Sequence, residues 1–303
     1  MKSLLSTGIA ILALAVMLVF YGCGDDSKSA NPEPQPEEFG VDTLLTGLEY
    51  PSALWVRGDR VYFAETNGRN TGFGGAVAVS VYKLSSHAES LLVNNPTCSD
   101  AVVVATDGKI YLGSYTSSIP GEAGSVSVVD PTALVEADVV DLEIAVCDMY
   151  IEADNDIVVI GSSDQLTAKS LYRLPVGAYA SPVVLKTGLG RVWCVTEQGS
   201  DIYYSDQSAI HKVTGAAPVE TWYNKSVMSL AASSKYMFYA DYFGGTVGMI
   251  DFATKTDSTL VSGLHGPHAV RWVDATSRLY FVEVGTQVNE FKDGSLQVVT
   301  GIQ

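Results

Sequence analysis

The chain has 303 residues, with 34 acidic and 18 basic side chains and a formal charge of −16. A surface so poor in Lys and Arg repels phosphate, which excludes a nucleic-acid reader. Hydrophobic residues at 47% against 17% charged exclude a mainly disordered chain, and 28 Gly with 16 Tyr favour turns and strands.

In chain order, Lys2 precedes an apolar run from Leu4 to Phe20, and the run ends at Tyr21-Gly22-Cys23. This is the layout of an export signal. A small residue directly before Cys23 resembles the lipobox of bacterial lipoproteins, which implies that residues 1–22 are removed and Cys23 is acylated. The alternative is an uncleaved anchor, since the run is near the roughly 20 residues needed to span a bilayer. Either way the expectation is a bacterial cell-envelope protein held to the membrane by its N-terminus. Residues 23–40 contain Pro32, Pro34 and Pro36 at alternate positions and carry no packed-core pattern, so they are expected to form an extended, disordered stalk.

From residue 41 to 303 a repeat organises the chain. Tyr62-Phe63-Ala64-Glu65, Tyr111-Leu112-Gly113-Ser114, Val158-Val159-Ile160-Gly161, Tyr203-Tyr204-Ser205-Asp206, Phe238-Tyr239-Ala240-Asp241 and Tyr280-Phe281-Val282-Glu283 are copies of one strand. A second short apolar strand precedes each, across polar turns such as Arg57-Gly58-Asp59 and Asp154-Asn155-Asp156. Third strands follow, clearest at 76–84, 124–129 and 246–251, and a fourth ends in a shared phrase such as Leu260-Val261-Ser262-Gly263-Leu264. Repeats of about 35 to 49 residues with four strands and no amphipathic helix predict an all-β, six-bladed β-propeller of four-stranded antiparallel blades. The closing phrase stands both at 42–48 and at 295–302, so the N-terminal strand is expected to complete the C-terminal blade.

Tyr50-Pro51-Ser52-Ala53-Leu54 before Val61-Tyr62-Phe63-Ala64-Glu65, and Gly266-Pro267-His268-Ala269-Val270 before Leu279-Tyr280-Phe281-Val282-Glu283, resemble the blade motif of NHL-repeat propellers and of the senescence-marker-protein/gluconolactonase-like group. That resemblance implies a metal-binding Glu directly before the Gly-Pro pair in the enzymes of the group. Here the position holds His265, and the other copy has Tyr50.

Antiparallel strands bring the start of each first strand and the end of each second strand to one rim. Asp100, Asp148 and His268 are therefore expected to face the channel as ligands for a divalent cation, Ca²⁺ or Mg²⁺ by their oxygen donors. Glu65, Asp206, Asp241 and Glu283, with Tyr242 and His265, are expected to line an acidic ligand-binding mouth. Carboxylates in such positions also cap turns by accepting backbone N–H bonds. Phe243, Trp193 and Tyr115 offer rings to a sugar or aromatic ligand, or simply fill space between blades. No Gly-x-Ser-x-Gly elbow, His-Glu-x-x-His, Walker loop or Cys-x-x-Cys is present. Cys98, Cys147 and Cys194 remain after Cys23, and three reduced thiols or one disulfide with one free thiol both fit. The leading expectation is a monomeric, lipid-anchored propeller that binds a small molecule or partner protein on its acidic face without catalysis. The alternative is a divalent-metal-dependent hydrolase or lyase of the gluconolactonase-like type.

Overall fold

A computed structural model describes residues 39–66, 76–94, 101–114, 124–142, 145–162 and 169–303. The compact unit is Glu38–Gln303. Cys23, Cys98, Asp100 and Tyr115 lie outside the described residues.

Six four-stranded antiparallel sheets make up the unit. The chain opens with β1 (Gly40–Leu48). The first blade is β2 (Pro51–Arg57), β3 (Arg60–Thr66), β4 (Ala76–Lys83) and β5 (Ala88–Asn94). The second is β6 (Ala101–Val104), β7 (Ile110–Gly113), β8 (Ser125–Val129) and β9 (Glu136–Asp141). The third is β10 (Ala145–Ile151), β11 (Ile157–Ser162), β12 (Lys169–Leu174) and β13 (Val183–Leu189). The fourth is β14 (Val192–Gln198), β15 (Asp201–Asp206), β16 (Ile210–Val213) and β17 (Glu220–Tyr223). The fifth is β18 (Ser229–Ala232), β19 (Tyr236–Asp241), β20 (Thr246–Asp251) and β21 (Asp257–Ser262). The sixth is β22 (Pro267–Val273), β23 (Arg278–Glu283) and β24 (Gly294–Thr300), completed by β1 from the other end of the chain.

The inner two strands of each blade are apolar nearly throughout because both sheet faces are covered. Leu54, Val61 and Phe63 of the first blade pack on Ala269, Tyr280 and Val282 of the sixth, while Ala53 and Trp55 face the second blade. Outer strands see solvent on their edge and are correspondingly polar, as the exposed Glu220 and Thr221 of β17 show.

Ring closure follows the sequence expectation. Gly40 pairs with Thr300, Asp42 with Val298 and Leu48 with Gly294. One detail differs. The strand carrying Val298-Val299-Thr300 is the third of its blade and not the fourth, because β1 occupies the outer edge. The repeated phrase marks both members of the closing pair.

Candidate functional site

Among the described residues, four inner strands begin with a β-bulge. In β2 the register passes from Pro51↔Glu65 to Ala53↔Ala64, leaving Ser52 unpaired. The same slip leaves out Cys147 in β10, Trp193 in β14 and His268 in β22. A bulge re-aims the side chain it leaves unpaired. These residues share the upper rim of the channel, where inner strands start and second strands end.

The slip corrects one expectation. Asp148 pairs with Ile160 and so matches Ala269, which pairs with Val282; Cys147 takes the place in its blade that His268 takes in the sixth. Asp148 is thus one step deeper, and its oxygens are committed. Oδ2 accepts from the Val195 N–H at 2.9 Å, and Oδ1 from the Met149 N–H at 2.8 Å. Arg271 Nη2 approaches Oδ1 at 3.4 Å. Blades three and six oppose each other in a sixfold ring, so this ion pair crosses the axis. Arg271 also donates through Nη1 to the carbonyls of Leu230 and Val270, and its guanidinium lies 5.1 Å above the Trp55 ring. Trp55 in turn meets Tyr150 edge to face at 6.0 Å. Burial pushes the Asp148 carboxyl above its usual range, against the pull of the Arg271 charge and the two N–H groups.

Asp148 is therefore not available to the expected divalent-ion set of Asp100, Asp148 and His268. Asp148 faces a guanidinium, a permanent cation, and Asp100 is outside the described residues. Among the described residues, one trio brings ligand oxygens within 4.8 Å of one another, Glu152, Asp154 and Asp156. It stands at the β10–β11 turn on the opposite rim, where Arg173 bonds Glu152.

The remaining acids of the upper rim cap turns. Glu65 accepts from the Glu49 N–H at 2.8 Å, and burial raises its carboxyl above the ordinary range. Glu283 accepts from the His265 N–H at 2.5 Å and from Gln297 Nε2 at 3.0 Å, with His265 Nδ1 at 3.3 Å. Asp241 accepts from the Gly244 N–H at 2.8 Å. Asp206 holds the Ser208 and Ala209 N–H groups and His211 Nε2; burial opposes its charge, but these hydrogen bonds bring its carboxyl below the usual range. Each of these four carboxylates accepts at least one backbone N–H.

What remains is His268. Its Nδ1 lies 2.8 Å from the Ser52 carbonyl oxygen, which can only accept, so the proton sits on Nδ1 and the Nε2 lone pair is uncommitted among the described residues. Burial holds its pKa below the ordinary histidine range, so the ring is neutral at neutral pH. The Tyr50 and Tyr242 rings meet it edge to face, each at 5.9 Å. Ser52, beside it, is 5% exposed, and among the described residues its Oγ has no hydrogen-bond partner. Sequence reasoning singled out His268 and Tyr242 but missed Arg271. A single Arg inside the apolar run Ala269-Val270-Arg271-Trp272 was the available signal, because Arg is rarely buried without a partner.

Gly266 sets the Tyr242 contact. Its φ is +67°, and an added Cβ would stand 2.7 Å from Tyr242 Cε2 and 2.7 Å from Val284 Cγ2. Gly266→Ala is expected to destabilise the fold by about 1–3 kcal/mol through strain and overpacking, read as a lower urea midpoint at unchanged slope.

No protein-family profile matches the chain, and no curated protein does. Solved structures match over nearly its whole length. Regucalcin, a calcium-binding protein of Agrobacterium tumefaciens, aligns with a TM-score of 0.68 at 12% identity over 87% of this chain and 94% of its own. XC5397 of Xanthomonas campestris, a gluconolactonase, gives 0.65 at 12% over 86% and 89%. A PQQ-bound aldose sugar dehydrogenase of Streptomyces coelicolor gives 0.63 at 11% over 88% and 99%. Likeness at this identity establishes the six-bladed fold, with the gluconolactonase-like architecture among its matches. The expectation of a non-catalytic binding protein is corrected against these neighbours, two of which are named as enzymes, one a gluconolactonase and the other a sugar dehydrogenase.

Proposed function

We propose that the chain is a hydrolase of esters or lactones, with its chemistry at the upper mouth of the channel and His268 as the general base. The observation that carries this reading is the fixed tautomer: Nδ1–H is tied to the Ser52 carbonyl, leaving a neutral Nε2 lone pair at a rim. Structural likeness to a gluconolactonase supports the reaction class. In the proposed step a water bonded to Nε2 adds to the carbonyl carbon and gives Nε2 its proton. The bond from that carbon to the alkoxy oxygen breaks, and the proton passes to the leaving oxygen, giving an acid and an alcohol. The Ser52 carbonyl stabilises the transient imidazolium through Nδ1–H.

The test is turnover of an ester and lactone panel, with and without EDTA and with added Ca²⁺ or Mn²⁺. His268→Gln is expected to lower kcat/KM by about 10²–10⁴. Turnover that survives the substitution would refute the assignment.

The address belongs to the same proposal. Cys23 is the lipid-bearing residue, residues 23–40 the stalk and the bacterial envelope the location, supported by the apolar run before Cys23 and the proline-rich segment after it. Incorporation of a labelled fatty acid that disappears in Cys23→Ala tests it.

A further inference from the structure

Five rings follow one another along the upper rim across three blades. Phe243 meets Tyr242 at 5.2 Å, Tyr242 meets His268 at 5.9 Å, His268 meets Tyr50 at 5.9 Å and Tyr50 meets Phe291 at 5.2 Å. His268 is at the centre. Each end of the row carries an apolar side chain held in water: Phe243 is 85% exposed, and Val288, on the same loop as Phe291, is 92% exposed.

Neither tip belongs to a loose loop. The turn bearing Phe243 is tied by Asp241 to the Gly244 N–H. The loop bearing Val288 and Phe291 is closed by Asp293, which accepts from the Thr286 N–H at 2.6 Å, Thr286 Oγ1 at 2.7 Å and Asn289 Nδ2 at 2.6 Å. These bonds hold the Asp293 carboxyl down at about 2, so it is ionised at neutral pH and accepts all three. One oxygen of each nearby carboxylate, Asp241 and Glu283, accepts a backbone N–H. A fixed apolar tip in water gains nothing until something covers it.

Successive ring planes meet at 76°, 87°, 64° and 79°. Edges and faces alternate, so the row offers no shared plane on which a flat ring or a sugar would stack. It offers a corrugated apolar ridge suited to a flexible aliphatic chain.

We infer that the substrate is amphiphilic, an ester or lactone bearing an aliphatic chain, with its carbonyl at His268 Nε2 and its chain laid along the rim toward Phe243 or Val288. This rests on the hydrolase reading for the carbonyl but not for the chain. Two series separate them, each measured on residues 38–303, in which the ring closes on its own strand β1.

With p-nitrophenyl esters from acetyl to octanoyl, kcat/KM is expected to rise about two- to fourfold per added methylene, the range for partial to full burial of each group. Phe243→Ser and Val288→Ser should each flatten that slope. With the matching amides, which resist hydrolysis, affinity by calorimetry should tighten with chain length and lose that dependence in the double variant. Ester turnover without any chain-length slope would overturn the inference and leave the hydrolase standing. Absence of ester turnover with a chain-length slope in amide binding would overturn the hydrolase and keep the rim. Amides of two and eight carbons that bind alike, or neither binding at millimolar concentration, would overturn the inference.

Discussion

Arg271→Met is expected to lower stability by about 3–5 kcal/mol, the usual loss when one partner of a buried ion pair is removed. That is a large part of the roughly 5–15 kcal/mol that holds most proteins folded, and the midpoint of thermal unfolding should fall by on the order of 10 °C. Arg271 is buried, at 8% exposure, and its guanidinium ties Asp148 to backbone carbonyls in three blades. Without it Asp148 keeps two N–H partners but no countercharge. The loss should depend on pH with a definite sign. In the variant the folded-state pKa of Asp148 rises further above its unfolded value, so the folded state binds more protons, and stability falls as pH rises and recovers as it drops. Arg271→Met combined with Asp148→Leu should recover much of the loss, because an apolar pair of similar volume is often as stable as a buried ion pair. If Arg271→Met alone unfolds within 1 °C of the parent, the cross-axis pair does not hold the ring together as argued.

Deletion through residue 48 should be equally damaging, while deletion of residues 1–38 should leave the ring intact. The strand β1 is the fourth member of the last blade. Leu48 is buried, and Leu44 and Leu45 pack half-buried on the same cluster. At about 1.5–3 kcal/mol for each fully buried side chain, these three contribute roughly 3–6 kcal/mol. Their loss also strips the partner from β24 and leaves it as an open edge prone to pairing with another copy. The shorter chain is expected to unfold or associate on size exclusion, and a peptide covering residues 39–48 added in trans should restore the monomeric profile. A stable monomer lacking residues 1–48 would contradict the closure.

The blade count was legible in the sequence because a propeller writes the same demand into every blade. Both faces of the inner strands are covered, so Val158-Val159-Ile160 and Phe238-Tyr239-Ala240 read as unbroken apolar runs, and the polar turns between them keep the beat. The site was legible only in part. His268 stood out beside Gly266-Pro267, and the capping role of Glu65, Asp206, Asp241 and Glu283 was one of the two readings their positions allowed. The bulge was not visible. A one-residue slip at Cys147 leaves the hydrophobic pattern of β10 unchanged, yet it moves Asp148 from the rim to the ion pair. Arg271 was hidden for a related reason, since its partner lies 123 residues away on the opposite blade. No local spacing records a contact across the axis.

The claim on which the functional reading depends is that His268 keeps its proton on Nδ1 and an open lone pair on Nε2. Nitrogen NMR of the histidine-labelled protein observes this directly. At neutral pH His268 should show a protonated Nδ1 and an unprotonated Nε2, and on acidification it should titrate below the ordinary histidine range. A proton found on Nε2, or a titration at or above the ordinary histidine range, would remove the base from the proposed chemistry.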